Sequence, residues 1–336
     1  MLIGLSAGIL YPVFAGEAGE LRAMLNGWLI GFLGAVFIWI FEMKVFNPRK
    51  RTLSFIPIFL IKTTAYLIGF LIIILSVKAI VDSLFYKIPL WDYVTGDEFK
   101  NFILKEDFFV ILSYTLAFLA IINFTLQMSR KVGYDMMINY ITGKYHKPVK
   151  EERIFMFIDM KSSTTIAEQL GNLKYHNLLN DFYFDITKCI LASKGEIYRY
   201  VGDEIDITWP MKRGIKNANC IQTYFYTLYQ IKRRKEYYLN NYGFVPQFTT
   251  GLHCGVVSTG EIGEVKSQVV HLGDTIQTTN LLKNELKNLE KQFLMTGEIL
   301  ERIKLPKPMQ ALKCGHITGS DPKGNINLYT LVDEKI

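Results

Sequence analysis

Two aspartates in the second half of the chain each stand at the end of an apolar, strand-like segment. Asp159 directly follows residues 155–158, and Asp203 follows Val201 and Gly202 at the tip of a predicted hairpin. A charge at the end of a buried strand needs a partner, because burying an unpaired carboxylate is unfavourable. If the hairpin pairs with the first strand, both carboxylates meet at one edge of a sheet. That arrangement predicts a site for two magnesium ions, which prefer oxygen ligands.

A run of polar side chains follows the first aspartate. Lys161, Ser162, Ser163 and Thr164 open a helix-like segment, and exposed amides and hydroxyls at a helix start bind phosphate groups. Neither signal is specific alone, since an aspartate between a strand and a helix is about as often an N-cap as a ligand. A Gly-Asp pair in a hairpin is more often a turn than an active site. The residue types indicate phosphate and metal chemistry and leave structural roles open.

The elements that position these groups follow from the apolar periodicity after residue 150. Segment 153–159 is typical of a buried strand, and segment 178–190 has an apolar side chain at every fourth position, as a helix does. Residues 195–210 predict a hairpin, and residues 214–240 predict a long helix. Two more strand-like segments, a helix after Asp274 and two final strands complete an α+β domain.

The first 127 residues have long apolar runs that the rest of the chain lacks. Segments 24–43, 54–79 and 108–127 are each long enough to cross about 30 Å of hydrocarbon. Residues 1–15 lack the features of a secretory signal peptide, and we count them as a fourth span. No acid or histidine lies at the centre of a span, which disfavours an ion pathway, and we expect Lys62 to extend toward the membrane interface. This α-helical part, with about four spans, is predicted to be a transmembrane anchor or sensor.

The distribution of basic residues predicts the topology. Lys44, Arg49, Lys50 and Arg51 lie between two spans, and cytoplasmic loops carry most of the lysine and arginine of membrane proteins. With four spans, both termini are in the cytosol. Much of the net charge of +7 therefore lies beside the membrane, and we expect membrane lipid and no nucleic acid as a partner.

The sequence thus predicts a multi-pass protein of the plasma (inner) membrane. Its parts are a transmembrane region (1–127), a connecting helix or linker (128–150) and a cytosolic catalytic domain (151–336). The four cysteines all lie in the second half and lack the spacing of a metal-binding motif, which is typical of reduced thiols in the cytosol.

Several segments resemble the class III adenylate and guanylate cyclases, in particular their membrane-anchored bacterial branch. FMFIDMKSSTTIAEQLG is similar to the first metal-binding motif of that family, and YVGDEIDITW is similar to the second. HCGVVSTGEIG and HLGDTIQTTNLL resemble the segment that carries the transition-state residues, while GKYHKP and NLYTLV resemble the two ends of the domain. The resemblance covers residues 143–333 and implies a ferredoxin-like βαββαβ core.

The resemblance also implies a reaction. The ribose 3'-hydroxyl of a nucleoside triphosphate attacks the α-phosphate, and pyrophosphate leaves. Asp159 and Asp203 hold two Mg²⁺ or Mn²⁺ ions per site in this interpretation, with the backbone carbonyl of Met160 as a further ligand. Because the sites of the family form between two domains, a chain with one such domain implies a homodimer. ATP is the favoured substrate, and 3',5'-cyclic AMP is the product.

The chain departs from the family pattern at several site positions. Gln277 and Leu281 stand where the pattern GDTxNxxxR has the asparagine that orients the ribose and the arginine that stabilises charge at the α-phosphate. Leu281 cannot replace a guanidinium, and the loss of such a donor commonly lowers the rate about 100- to 1000-fold. Arg199 and Val270 occupy the base-reading positions, where adenylate cyclases tend to have lysine and aspartate.

One further family residue has no clear counterpart. Thr318 holds the place of the lysine that binds the triphosphate, and Lys313 or Lys323 could substitute for it.

Other functions are compatible with parts of the sequence. A catalytically degenerate, cyclase-like receptor or regulatory protein is favoured by Gln277 and Leu281 and disfavoured by the retained carboxylates. A cyclase for another nucleotide also remains open. A diguanylate cyclase shares the hairpin VGDE but has a doubled glycine that this chain lacks, and a small transporter is disfavoured by the uncharged spans. His253 and His271 have no ligand partners at suitable spacing and are interpreted as core or interface histidines.

Overall fold

The chain divides into two compact units, Met1–Val132 and Gly133–Ile336. A computed structural model describes residues 21–44, 54–104, 106–318 and 324–333. The division falls at Gly133, whose φ of 96° ends the preceding helix, because a residue with a side chain adopts that conformation only with strain. Each unit is described by itself.

The described part of the first unit is entirely helical. It contains α1 (Leu21–Lys44), α2 (Phe55–Tyr86), α3 (Leu90–Thr95), α4 (Asp97–Leu104) and α5 (Glu106–Val132). Three segments are long and apolar enough to cross a membrane, namely Leu21–Lys44, Phe55–Tyr86 and Phe108–Val132. They correspond to the three long spans predicted from the sequence. The predicted fourth span, residues 1–15, lies outside the described residues.

Glu42 joins the three long helices of this unit. Lys62 on α2 donates a hydrogen bond to Glu42 Oε1 at 2.5 Å, and Tyr66 on α2 and Arg130 on α5 contact the same carboxylate. Lys62 is only 1% exposed. Lys62 thus pairs with a carboxylate two residues before the end of α1, and its extension toward the membrane interface stays a prediction.

The second unit is an α+β domain. In chain order its elements are α6 (Tyr134–Thr142), β1 (Val149–Met160), α7 (Ser163–Leu170), α8 (Asn172–Ala192), β2 (Glu196–Val201), β3 (Glu204–Pro210), α9 (Met211–Ile215), a 3-10 turn (Lys216–Ala218), α10 (Asn219–Arg233), α11 (Lys235–Tyr242), β4 (Phe248–Ile262), β5 (Gln268–Leu272), α12 (Asp274–Asn288), β6 (Phe293–Thr296), α13 (Gly297–Arg302), β7 (Met309–Thr318) and β8 (Asn325–Asp333).

The described strands form one mixed sheet. Their order is β2-β3-β1-β4-β6-β8-β7, and β5 pairs with β4 outside this path. The first four strands and the helices between them have the chain order βαββαβ and the spatial order β4-β1-β3-β2, so the predicted core is confirmed. β1 is central and pairs antiparallel with both β3 and β4, which places Asp159 opposite Glu204 and Thr249.

The two faces of the sheet are covered differently. On one face, alternate side chains of β1, β3 and β4 pack with α8, α10 and α11 in the main core, which includes Ile154, Ile207 and Phe182. On the other face, α12 lies close to β4, where Gly251 and Gly255 leave room for its side chains. A smaller core joins α12 to Phe157 and to the last strands. The part of this second face on β1, β3 and β2 forms a cleft beside α12.

The prediction of one long helix over residues 214–240 is wrong. The segment contains α9, a 3-10 turn, α10 and α11 in succession. Asn217 and Ala218 have φ values of 53° and 54°, which break the helix near its start, and Arg234 (φ −99°, ψ 16°) separates α10 from α11. The apolar periodicity continues across these breaks because the same face of each short helix covers the main core.

His271 lies in the core of the sheet. Its ring packs against the rings of Phe155 and Tyr198 at centroid distances of 5.3 and 4.7 Å, and its Nδ1 is 2.8 Å from Thr259 Oγ1. Burial, reinforced by the positive charge of Arg153, lowers the pKa of His271 to about 3. The buried neighbour His253 has its pKa lowered to about 4, also mainly by burial. Both are core histidines, as the sequence suggested.

We expect the contribution of His271 to the stability of the second unit to be lost as the pH falls from about 6.5 toward 4, whereas Asp159 contributes with the opposite sign in this window. The unfolded chain protonates His271 near the ordinary pKa of 6.5, whereas the folded side chain stays neutral until about pH 3, so acid favours the unfolded state. Each pH unit in this window is expected to cost roughly 1 kcal/mol per histidine. Urea unfolding can be followed by the fluorescence of Trp209, with the exposed Trp28, Trp39 and Trp91 replaced by phenylalanine.

The control for this prediction is His271→Gln, which removes one titrating group. The stability of the variant relative to that of the wild type is expected to increase as the pH falls through this window, and His253 keeps a contribution of the same sign as that of His271. An unchanged slope in the variant would show that His271 is not the group responsible.

Candidate active site

Asp159 and Asp203 meet at one edge of the sheet. Asp159 is the next-to-last residue of β1, and Asp203 lies in the turn between β2 and β3. Their side chains are within hydrogen-bond contact, and burial, together with the negative charge of Asp203, raises the pKa of Asp159 to about 6. Two carboxylates held this close repel each other when both are charged, so the pair favours a proton or a cation between them.

The side chain of Tyr183 on α8 holds the hairpin that carries Asp203. The Tyr183 hydroxyl donates to the carbonyl oxygen of Gly202 at 2.8 Å and approaches that of Glu204 at 3.3 Å. Gly202 has a φ of 64°, which glycine adopts without strain. The tyrosine therefore holds the turn on both sides of Asp203 without contacting its carboxylate directly.

The polar run after β1 forms a tight turn. Ser162 has a left-handed conformation (φ 57°) and precedes α7, while the amide of Lys161 donates to the carbonyl oxygen of Gln247 at 2.9 Å. Ser162 and Thr164 are exposed, and Ser163 hydrogen-bonds Tyr175. The Met160 side chain, 2% exposed, belongs to the main core, so its sulfur is not available as a ligand.

Two cationic side chains lie beside the carboxylates. Lys283 on α12 donates to Glu204 at 2.7 Å, and its Nζ lies 5.1 Å from the centre of the Phe157 ring. Its charge opposes the rise in the pKa of Asp159. Arg199 on β2 pairs with Asp206 on β3, with Nε 2.6 Å from Oδ2.

Sequence reasoning missed Lys283, Glu204 and Asp206. A signal for Lys283 exists in the helical spacing of Ile276, Asn280 and Lys283, which share one face of α12. For Glu204 and Asp206 the signal is the alternation of β3, where polar residues alternate with the buried Ile205 and Ile207. Both patterns become informative only when the packing of α12 on β1 and β3 is known.

Apolar and polar side chains both line the cleft beside α12. It is lined by side chains from β1, β2, β3 and α12, which include Phe155, Tyr198, Asp206, Ile276, Thr279 and Asn280. Asp206 pairs with Phe157 on β1, two residues along the strand from the pairing of Glu204 with Asp159. The cleft therefore begins on the same sheet face as the aspartates.

The remaining site residues predicted from the sequence do not contact the two aspartates in the described part of a single chain. Gln277 and Leu281 are exposed one turn apart on α12, and in the part of the chain that the structure describes no hydrogen bond joins either residue to Asp159 or Asp203. Val270 lies on β5 opposite Gly260. Lys313 lies exposed on β7, whose last residue is Thr318, and Lys323 lies outside the described residues.

Among the residues with described side chains, no group of three or more histidine, cysteine, aspartate or glutamate side chains is placed to hold a metal ion. The donors at the edge of the sheet are the two aspartates and the backbone beside them.

Comparisons with known proteins show similarity in sequence and in fold. Adenylate cyclase 2 of Rhizobium meliloti (strain 1021) is 36% identical over 205 residues, a match that covers 61% of this chain and 56% of the relative. The chain thus spans about half the length of this curated relative. Among solved structures, a bacterial light-regulated adenylyl cyclase is similar in fold, with a TM-score of 0.51 at 19% identity over 63% of each chain.

The family model of the adenylate and guanylate cyclase catalytic domain matches residues 145–332, which is more than half of the chain. The match begins before β1 and ends in β8, so it includes residues of every strand and both aspartates. The chain therefore belongs to the adenylate and guanylate cyclase family.

Proposed function

We propose that this chain is a membrane-anchored adenylate cyclase that converts ATP to 3',5'-cyclic AMP and pyrophosphate as a homodimer. The observation that carries the proposal is the contact between Asp159 and Asp203 beside the turn at Ser162. The choice of ATP is supported by the similar Rhizobium meliloti protein, which is named an adenylate cyclase.

The donors at the edge of the sheet fit divalent metal ions, on which this family generally depends. The contact between the aspartates and the raised pKa of Asp159, about 6, indicate an excess of negative charge that a cation relieves. All donors are oxygens, which Mg²⁺ and Mn²⁺ prefer. We assign Asp159, Asp203 and the Met160 carbonyl to two ions, which supply activation of the ribose 3'-hydroxyl and neutralisation of the triphosphate when bound.

The remaining groups of the site bind and orient the nucleotide. The Lys161 side chain, the hydroxyls of Ser162 and Thr164 and the backbone amides at the start of α7, from Ser163 onward, contact phosphate oxygens, since they follow Asp159 closely. Gln277 orients the ribose through its side-chain amide. Arg199 and Val270 border the base, and Lys313 on β7 is a candidate for binding the triphosphate.

A second copy of the chain completes the site. Val256, Ile262 and Leu272 are each more than half exposed around the β4–β5 hairpin, which is typical of an apolar surface that a partner covers. Gln277 and Leu281 are exposed in the single chain, where a partner can reach them. In a C2 dimer each chain supplies the aspartates to one site and α12 to the other.

The three long apolar helices support an anchor in the membrane. We propose a multi-pass protein of the plasma membrane with the cyclase domain in the cytosol, where ATP is available. The basic residues Lys44, Arg130 and Lys131 at the ends of α1 and α5 support this orientation, because cytoplasmic ends carry the excess of positive charge.

The test is product analysis with purified full-length protein. ATP, GTP, CTP and UTP are incubated in turn with magnesium or manganese, and cyclic monophosphates are separated by chromatography. Cyclic AMP as the main product supports the proposal, whereas cyclic GMP as the main product would contradict the choice of base. If a folded, dimeric protein forms no cyclic product from any nucleotide, the chain is a receptor or regulator, as Leu281 also favours.

A further inference from the structure

We infer that Tyr183 is a positioning residue of the active site, which sets the affinity of the site for divalent metal ions by holding the turn that carries Asp203. The inference rests on the proposed function, since it concerns the metal ligands assigned there. Tyr183 lies on α8, outside the segments whose residue types indicate phosphate and metal chemistry.

The turn that carries Asp203 has little packing of its own. β2 is the edge strand of the sheet, and Gly202 and Asp203 alone connect it to β3. Val201 and Gly202 are exposed, and the pairing of β3 with β1 ends with Glu204 opposite Asp159. Asp203 therefore lies beyond the last pair of that ladder, and strand pairing alone does not fix the direction of its carboxylate.

Tyr183 supports this turn from α8. Its hydroxyl donates to the carbonyl oxygen of Gly202 at 2.8 Å and lies 3.3 Å from that of Glu204, so one group contacts the backbone on both sides of Asp203. Its ring packs against the ring of Tyr200 on the same hairpin, at a centroid distance of 4.8 Å. Burial and the negative charge of Asp203 raise the pKa of Tyr183, so the hydroxyl keeps its proton and remains a donor.

The helix that carries Tyr183 is itself held in place by buried contacts. The neighbouring Phe182 is fully buried in the main core. Asp185, also fully buried, accepts hydrogen bonds from Arg234 and Tyr238, both at 2.7 Å. The core thus determines the position of Tyr183, and the tyrosine hydroxyl imposes that position on the turn.

A fixed turn favours metal binding because an ion shared by Asp159 and Asp203 needs both carboxylates at once. Without the Tyr183 hydroxyl, the turn also adopts positions in which the Asp203 carboxylate points away from Asp159. The apparent metal affinity falls with the fraction of molecules that have the binding-competent arrangement. Residues that orient metal ligands typically change metal affinity about 10- to 100-fold. Once both carboxylates are ligated, the geometry of the site is the same with or without the hydroxyl, so the chemical step changes little.

The first experiment measures metal binding without turnover. The full-length wild type and Tyr183→Phe, which removes only the hydroxyl, are unfolded thermally at increasing free Mg²⁺ and a fixed concentration of 3'-deoxyATP. This nucleotide lacks the attacking hydroxyl and cannot be cyclised, and its own affinity for Mg²⁺ is the same in both samples. The free Mg²⁺ concentration that gives half of the rise in the unfolding midpoint is expected to be about 10-fold higher for Tyr183→Phe.

The second experiment separates metal affinity from chemistry. With ATP, the free Mg²⁺ concentration for the half-maximal rate is expected to rise about 10-fold in Tyr183→Phe, while kcat at saturating Mg²⁺ stays within about twofold of the wild type. Tyr237→Phe is the matched control, because the Tyr237 hydroxyl also donates one hydrogen bond to α8, to Asp181 at 2.7 Å, away from the site. The control is expected to leave both Mg²⁺ dependences unchanged.

A purely structural role of Tyr183 predicts a different result. If the midpoint of Tyr183→Phe is lower in EDTA but both Mg²⁺ dependences equal those of the wild type, Tyr183 stabilises the fold only and the inference is wrong. If Tyr183→Phe does not unfold cooperatively, Gly202→Ala takes its place. Gly202 has a φ of 64° and open space around an added Cβ, so alanine strains the same turn without a clash. An increase in the free Mg²⁺ requirement is again expected, and its absence would overturn the inference.

The two experiments also separate this inference from the proposed function. If Tyr183→Phe shows the expected shift with 3'-deoxyATP but the wild type forms no cyclic product from ATP, the proposed function fails and the role of Tyr183 in metal binding stands. If the wild type forms cyclic AMP and Tyr183→Phe has the same Mg²⁺ dependence, the inference is wrong and the cyclase assignment stands.

Discussion

Asp159→Asn is expected to abolish cyclic nucleotide formation and, at the same time, to stabilise the metal-free protein slightly. The substitution keeps the size of the side chain and removes one of two charged oxygen ligands, so turnover is expected to fall at least about 1000-fold. The gain in stability follows because the neutral side chain avoids the cost of burying a charge and no longer repels Asp203. Opposite signs for activity and stability are typical of functional residues.

The stability gained by Asp159→Asn is expected to depend on pH. The pKa of Asp159 is raised in the folded state from 3.8 to about 6, so the folded protein binds this proton more tightly than the unfolded chain. Protonated Asp159 therefore stabilises the folded protein. This stabilisation is fully present below pH 4 and is lost as the pH rises through 6. Because the Asp159 carboxyl is partly exposed, solvent screening reduces the expected stability gain of Asp159→Asn to about 1 kcal/mol at neutral pH.

The measurement is thermal unfolding in EDTA and in excess magnesium. Magnesium is expected to raise the midpoint of the wild-type protein, since a ligand that binds only the folded state stabilises it. In Asp159→Asn the midpoint in EDTA is expected to be higher than that of the wild type, with little further change in magnesium. Asp181→Asn, at an aspartate that hydrogen-bonds Tyr237 and Tyr242 away from the site, is the control and is expected to keep its activity. An active Asp159→Asn would refute the assigned role.

The parts of this site that could be predicted from the sequence are those set by local pattern. The apolar run of β1 ends at the aspartate, and Gly202 marks the turn of the next hairpin. Antiparallel pairing of that hairpin with β1 then brings Asp159 and Asp203 together, as the sequence predicted. Their use as metal ligands stays a proposal, because the geometry of an apo carboxylate pair is compatible with ligation without requiring it.

Interactions between distant elements could not be predicted. The pairing of Lys283 with Glu204 joins residues 79 positions apart and depends on how α12 packs on β3. The pairing of Arg199 with Asp206 depends on an irregularity in β2, between Ile197 and Arg199, which shifts the register of the hairpin. A one-residue shift moves a side chain to the other face of a sheet, so strand periodicity alone cannot place Arg199 beside Asp206.

The same limit applies to the pairing of Lys62 with Glu42. A single lysine near the end of an apolar span is expected at the interface when its span is considered alone. Glu42 lies at the end of a different span, and the packing of α1, α2 and α5 brings the two charges together. The sequence contains both residues, but the pairing is a property of the helix bundle.

Leu281→Arg is expected to raise kcat for ATP about 100-fold, with a smaller change in KM. The wild-type leucine is 37% exposed on α12, one turn after Gln277, so an arginine fits there without disturbing a core. A guanidinium at this position contacts charge that develops at the α-phosphate, and an interaction made only in the transition state appears in kcat. Steady-state kinetics of the full-length protein with saturating magnesium give both constants.

Leu281→Lys and Leu281→Gln are the matched variants. Lysine has the charge without the planar, bidentate group and is expected to give a smaller gain, while glutamine, which has no charge, is expected to give little. If none of the three variants raises kcat, the charge at the α-phosphate is already stabilised by another group, and the departure at Leu281 does not limit the enzyme.

A mixed dimer locates this gain between the chains. Wild-type chains are paired with chains that carry both Asp159→Asn and Leu281→Arg, and the heterodimer is purified with two different tags. If each site combines the aspartates of one chain with α12 of the other, one of its two sites has an intact Asp159 and the new guanidinium, and that site is fast. If each site lies within one chain, the guanidinium falls in the site without Asp159, so the heterodimer turns over no faster than wild type. The rate of the heterodimer therefore tests the role of position 281 and the shared architecture of the site together.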